Sequence, residues 1–281
     1  MPPRETYGFG LARALDFHTS VTCFTELCAL LSTATGQVFY PHHALSYAEL
    51  VAGMERGDLA LAWAPPMPAI ELQDRGQATA LVAPVRKGST LYHSALIVRP
   101  GGPKTLAELK GKRVGWVDRD SAAGYVVPRL HLAINGIEPD GYFAHELFLG
   151  SHIAVIEAVL GGRVDVGATF AKVESHSGRI IQAAWTSVEG KSRSPVEVLT
   201  TIGPIPSDMI LASNRLPADL RSRIFRWFLD PTPPRATQLL HEMVRADSCR
   251  SPTPAHYEPL RKMIAEAKRL RAGRSIRPPM R

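Results

Sequence analysis

The spacing of apolar positions changes repeatedly along the chain. Residues 7–11 and 37–40 are short runs of strand length, and Leu59-Ala60-Leu61-Ala62-Trp63-Ala64 is apolar without a break, as in a strand buried on both faces. Between the first two runs, Phe24, Leu27, Cys28 and Leu31 recur at helical spacing, with Thr19 or Ser20 available as a cap. Ser46 and Glu49 form a capping box that opens a helix to Arg56, and Gly57 ends it. A second series follows. Strands are expected at 94–98, 113–117 and 164–168, with a short capped helix at 105–111. Residues 118–123 read as a loop. Gly124-Tyr125 leads into a helix at 128–134, and a helix at 151–160 stops at Gly161-Gly162. The last third holds a strand near 209–211 and helices near 218–229, 234–244 and 257–270.

Strands alternating with helices predict an α/β protein with substantial parallel pairing. Two such series imply two lobes, each a mixed sheet flanked by helices. Lobe 1 is assigned residues 1–88 and 200–260, lobe 2 residues 89–199, and 261–281 a basic helix end and tail. The chain is expected to cross between lobes near 86–93 and 196–204. In such folds, ligands sit at the carboxyl ends of strands, in a cleft between lobes.

Composition narrows the partners. Of 281 residues, 45% are hydrophobic and 21% charged, which excludes a disordered chain. The net charge of +7 resides entirely in residues 261–281, which hold eight basic side chains and one acid. The remaining body is neutral, so it is not expected to bind nucleic acid, and the basic end reads as a solvated terminus. No apolar run approaches the ~18 residues of a membrane span. The first residues lack a secretory leader, so the chain as given reads as cytoplasmic, or as a periplasmic or membrane-associated protein without its leader. Cys23, Cys28 and Cys249 form neither a disulfide framework nor a zinc pattern. His42 and His43 diverge on a strand, and with His18 they make no metal set. Gly8-x-Gly10 is an incomplete dinucleotide fingerprint, and nucleophile-elbow, P-loop and zincin motifs are absent. Neither a metal nor a cofactor is expected.

Several segments carry a family likeness: Thr105 to Val114; Asp118 to Tyr125; Gly150-Ser151-His152 with the apolar helix after it; Gly162 to Ala168; and Gly203-Pro204-Ile205-Pro206-Ser207-Asp208. In order and spacing, over about residues 45–215, they resemble the phosphonate/phosphite-binding proteins of ABC importers. The resemblance implies a two-lobed, type II periplasmic-binding-protein-like fold. It implies a small anionic ligand held in an interlobe cleft and an ABC permease as partner. It assigns oxyanion contacts to Tyr47, Tyr92, Ser121 and His152, with Ala122 and Ala123 in the ligand-binding turn, and sets Asp208 against a ligand amine. The family's Ser/Thr run is here Ser121-Ala122-Ala123, two hydroxyl donors short, which fits an anion with an apolar part better than a dianion. Structural readings stand beside these roles. Ser121 is equally a helix cap, His152 a structural donor, Tyr47 a packing residue and Asp208 a turn residue. Asp165 reads as a structural strand-end acid, and Trp63 and Trp116 as core. A biosynthetic enzyme or a cytoplasmic sensor on the same fold is the alternative function.

Overall fold

The computed structural model describes residues 5–12, 17–174, 176–187, 196–229, 233–253 and 255–275. Contacts divide the chain into two compact units. Unit 1 comprises Met1–Thr90 and Ser207–His256, and unit 2 comprises Leu91–Pro206 and Tyr257–Arg281. In chain order, unit 1 begins with β1 (Thr6–Ala12), α1 (Phe17–Thr35), β2 (Val38–Ala44), α2 (Tyr47–Arg56), β3 (Leu59–Ala64), α3 (Pro66–Asp74) and β4 (Ala78–Val85). Unit 2 follows with β5 (Leu91–Val98), β6 (Arg113–Trp116), α4 (Val127–Ile134), β7 (His145–Phe148), α5 (His152–Leu160), β8 (Val166–Val173), β9 (Ile180–Ala183) and β10 (Glu197–Pro206). The chain re-enters unit 1 as β11 (Met209–Ser213), α6 (Ala218–Leu229), α7 (Pro234–Val244) and β12 (Ser248–Arg250). The last helix, α8 (Glu258–Ser275), belongs to unit 2.

Each sheet is mixed. In unit 1 the order is β12-β4-β11-β3-β1-β2. Here β1 pairs in parallel with β2 and β3, while β11 runs antiparallel between β3 and β4. The returning strand therefore separates two strands that are neighbours in sequence. In unit 2 the order is β10-β5-β8-β6-β7, with β9 beside β8. Only β6 pairs in parallel, with β7 and β8.

Local chemistry explains most elements. Ser46 has extended backbone and its hydroxyl accepts the Glu49 N–H at 3.1 Å, so α2 starts as expected. The Glu49 carboxylate reaches back to Leu45 N–H at 2.7 Å rather than to the cap residue itself. Gly57 closes the helix at φ +86°, a conformation that favours glycine. All six residues of β3 are buried. Its apolar side chains join Phe9, Phe24, Leu27, Leu31 and Phe228 in the unit 1 core. In unit 2, Ala95 and Ile97 pack with Ile156 and Val159 of α5. Gly167 lets that helix approach, because a Cβ there would lie 2.6 Å from Val155.

Some expectations are corrected. Helix α1 starts at Phe17, so Thr19 and Ser20 lie inside it and are not its cap. Residues 105–111 form only a 3-10 turn at Ala107–Leu109, because Lys110 turns extended and Gly111 takes positive φ. The expected crossing at 196–204 is strand β10, paired antiparallel with β5. The chain passes between units three times: after Thr90, which lies within the expected 86–93, after Pro206 and after His256. Of the stretch read as a solvated terminus, the residues up to Ser275 belong to helix α8. Helix α8 packs on α4 and β10, burying Leu260 and Ala267. Helix α3, a segment the sequence analysis left unassigned, starts at Pro66, and proline is tolerated in a first helical turn.

Asp165 is structural, as its strand-end position implied. Its carboxylate accepts the Arg113 backbone N–H at 2.9 Å and the guanidinium at 2.7 and 3.1 Å, joining the start of β6 to the start of β8. The Arg113 hydrogen bonds outweigh burial and hold the Asp165 carboxyl down to about 2. A depressed carboxyl stabilises the fold above its unfolded pKa of roughly 3.9, and the stabilisation fades as pH falls toward the folded value. Asp165→Asn is expected to melt below wild type at neutral pH, and the gap to close between about pH 4 and 2. Thermal melts followed by circular dichroism across that range check it; a gap independent of pH would mean that the ionised carboxylate contributes nothing.

Candidate functional site

Parallel pairing of β6 and β7 brings two helix starts to one edge of the unit 2 sheet. The ladder aligns Trp116 with Phe148 and then continues past both strands. Leu149 N–H donates to Trp116 O at 2.9 Å, and Gly150 N–H to Val117 O at 2.8 Å. The turn after β6 and the turn after β7 are thereby stitched together. Each opens a helix.

After β6, Ser121 caps a wide π turn, Ala122–Val126, that runs straight into α4. Its hydroxyl oxygen accepts the Gly124 N–H at 3.0 Å, which leaves the hydroxyl proton available as a donor. Gly124 is required by space, since a Cβ would meet Val117 Cγ2 at 2.4 Å and Ser121 Oγ at 2.8 Å. Ala122 and Ala123 are buried, and Ser94 of β5 donates to the Ala123 carbonyl at 2.6 Å. After β7, Ser151 caps α5 in the same manner, accepting the Ala154 N–H at 3.1 Å. The first N–H groups of a helix have no intrahelical partner, and they carry the positive end of its dipole. Helix starts of this kind can take an anion on their backbone N–H groups.

His152 is the first residue of α5. Its Nδ1 lies 3.0 Å from the hydroxyl of Thr169, a fully buried residue of β8, and its ring stands edge-on to Phe170 at 5.0 Å. Burial pushes the imidazole down to about 4, so it is neutral at physiological pH. If Thr169 donates to Nδ1, the ring proton sits on Nε2 and His152 is an uncharged N–H donor. Two acids belong to the Ser121 turn, Asp118 and the exposed Asp120: Asp118 accepts the Asp120 N–H at 2.8 Å, and burial raises the Asp118 carboxyl above the ordinary range.

The structure thus brings Ser121, Ala122, Ala123 and His152 to one edge. Tyr92 lies in strand β5 rather than in a crossing loop. It stands two residues from Ser94 on the same face, toward that edge. Tyr47 and Asp208 belong to unit 1. Tyr47 is the half-buried first residue of α2. Asp208 is engaged by Arg86 in a two-pronged ion pair at 2.7 and 2.8 Å, and by the indole N–H of Trp63. Burial raises its carboxyl, but the Arg86 charge and these hydrogen bonds outweigh that and hold it below the ordinary range. Its oxygens already have three donors, a structural duty beside the ligand role that the resemblance implied. Trp63 is buried at 2% exposure, as a core residue. Among the described residues no group of His, Cys, Asp and Glu is arranged to hold a metal ion. Ser94 and Thr169 escaped the sequence reading because a lone hydroxyl within an apolar strand carries no local signal.

Over residues 9–257 the chain matches the family of periplasmic substrate-binding proteins of phosphonate ABC transporters, and it belongs to that family. Solved structures share the type II periplasmic-binding-protein fold. XAC2383 from Xanthomonas citri, bound to chloride, is 19% identical with a TM-score of 0.77, covering 95% of this chain and 99% of its own. The binding component of an ABC phosphonate transporter from Pseudomonas aeruginosa is 20% identical, with a TM-score of 0.74 and 96% and 89% covered. PhnD1 from Prochlorococcus marinus, in complex with methylphosphonate, is 16% identical, with a TM-score of 0.72 and 94% and 98% covered. No helix among the described residues is long and apolar enough to cross a membrane.

A neutral His152 makes a direct prediction. Its ring resonances in heteronuclear NMR should not titrate between about pH 5 and 8, whereas exposed histidines should move near 6.5. A midpoint at the ordinary value would show that the imidazole is solvated and not held against Thr169.

Proposed function

Because the chain belongs to the periplasmic phosphonate-binding family, we propose that it captures a small oxyanion, a phosphonate or a relative such as phosphite or phosphate, for import by an ABC permease. The observation that carries this reading is the pair of stitched helix starts, with Ser121 and Ser151 as caps and a neutral imidazole beside them. Backbone N–H groups, two hydroxyls and a neutral His152 donate hydrogen bonds without presenting a nucleophile activated by a base, so the arrangement suits capture rather than turnover. Tyr92 approaches the same edge from β5 and adds a phenolic donor. Tyr47 and Asp208 belong to the other unit, where Tyr47 supplies a second phenolic donor. On this reading the ligand is taken up in a cleft between the lobes, and a ligand that draws donors from both would favour their closed arrangement.

The Ser-Ala-Ala sequence of the turn bears on the ligand. Backbone donors survive the loss of side-chain hydroxyls, so the anion is still held. An apolar group on the ligand is tolerated where two hydroxyls would have stood.

Calorimetric titration against methylphosphonate, phosphite, phosphate and sulfonates tests the function. At least one is expected to bind. Ser121→Ala, Tyr92→Phe and His152→Ala should each weaken that ligand by roughly 1–3 kcal/mol, the usual loss of a donor to a charged acceptor. Wild-type affinity in all three variants would move the site elsewhere. X-ray scattering with saturating ligand should show a smaller radius of gyration; an unchanged radius would refute closure while leaving anion capture intact.

A further inference from the structure

We propose that Arg119 is a further ligand-binding residue, supplying the fixed positive charge that pairs with the anion at the Ser121 turn. The inference rests on the oxyanion reading above and adds to it a charged group in unit 2 that the family likeness does not assign.

Arg119 stands within the same turn, two residues before Ser121, and its side chain is exposed. Its guanidinium carbon lies 4.5 Å from the ring centre of Phe148 and 6.0 Å from that of Tyr125, and Nη1 donates to the Tyr125 hydroxyl at 3.3 Å. Phe148 is the last residue of β7, just before the stitched Leu149-Gly150 turn that leads to Ser151. The guanidinium is therefore held on aromatic faces beside both helix starts. Stacking of this kind orients a guanidinium and leaves its edge N–H groups free for a planar or tetrahedral oxyanion.

A neighbouring arginine supplies the contrast. Arg129 also lies over Tyr125, at 5.1 Å, but its charge is matched by Glu146 at 2.8 Å and by Asp140. Among the described residues no carboxylate comes within ion-pair distance of Arg119. The nearest acids in sequence do not cancel it: Asp118 turns one oxygen to the Asp120 N–H, and Asp120 is exposed. The turn lacks two of the hydroxyl donors that the family's Ser/Thr run would offer, and Ala122 and Ala123 cannot replace them. A permanently charged guanidinium can, and it adds a charge that hydroxyls lack.

Calorimetric titration of the whole protein with methylphosphonate and with inorganic phosphate tests this, using wild type, Arg119→Gln, Arg119→Lys, Phe148→Leu and Ser121→Ala. Arg119→Gln should weaken binding about tenfold to a hundredfold, as loss of a charge-assisted bond does. Its melting temperature should stay near wild type, since the side chain is exposed. Arg119→Lys should restore part of the affinity, and Phe148→Leu should lose part of it. Affinity of wild type should fall as ionic strength rises, and the fall should be shallower in Arg119→Gln. Should Arg119→Gln bind like wild type while Ser121→Ala is weakened, Arg119 is not a ligand residue and the oxyanion site stands. Weakened binding with an unaltered salt dependence would reduce Arg119 to a packing role and overturn the proposal. Wild type that binds neither probe overturns both this inference and the oxyanion reading on which it rests.

Discussion

The parallel β6–β7 ladder is the constraint on which unit 2 depends. Parallel strands finish at the same edge, and helices that follow them must start there. Here the ladder extends by two further hydrogen bonds, from Leu149 to Trp116 and from Gly150 to Val117, so the two turns are locked to each other and not merely adjacent. Everything in the candidate site follows from that lock. Ser121 and Ser151 cap the helical segments that follow the two stitched turns, and the hydroxyl of Thr169 in the adjoining β8 lies 3.0 Å from His152 Nδ1.

A site built in this way depends less on side chains than a list of its residues implies. The Ser-Ala-Ala-Gly sequence retains the serine that caps and the glycine that fits against Val117, and dispenses with hydroxyls between them. Backbone donors are held by the fold and survive every side-chain substitution except proline. Side chains then adjust charge and shape around a fixed frame: a neutral imidazole on one turn, a buried alanine pair on the other, and the stacked Arg119 at the rim.

Unit 1 has its own fixed point, at the place where the chain leaves it and returns. Arg86 lies just before the exit and Asp208 just after the return, and their ion pair at 2.7 and 2.8 Å ties the two segments together. Ser207 N–H donates to Thr90 O at 2.8 Å, and Arg86 Nε to Val244 O at 2.6 Å, so every face of the guanidinium has a partner. Removing one member would strand a partly buried charge, which is why such a pair is costly to break whatever it contributes in sum. Asp208 immediately precedes β11, which pairs antiparallel with β3 and β4.

Local chemistry was legible in the sequence. The Ser46 capping box, the Gly57 stop, the all-apolar β3 and the Ser151 helix start follow from residues a few positions apart, and each acts over a few ångströms of chain. The order of Ser121, Gly150-Ser151-His152 and Asp208 also carried the family likeness, because motif spacing survives where overall identity does not. Pairing was not legible. Nothing local announces that residues 209–213 insert between strands 59–64 and 78–85, that residues 197–206 form a strand, or that the basic last helix packs on unit 2. The same holds for Asp208, whose partners Arg86 and Trp63 are 122 and 145 residues away, and for Thr169 behind His152. Periodicity and caps record what a segment can become; which segments meet is set by burial and hydrogen bonding over the whole unit, and only the tertiary structure decides that.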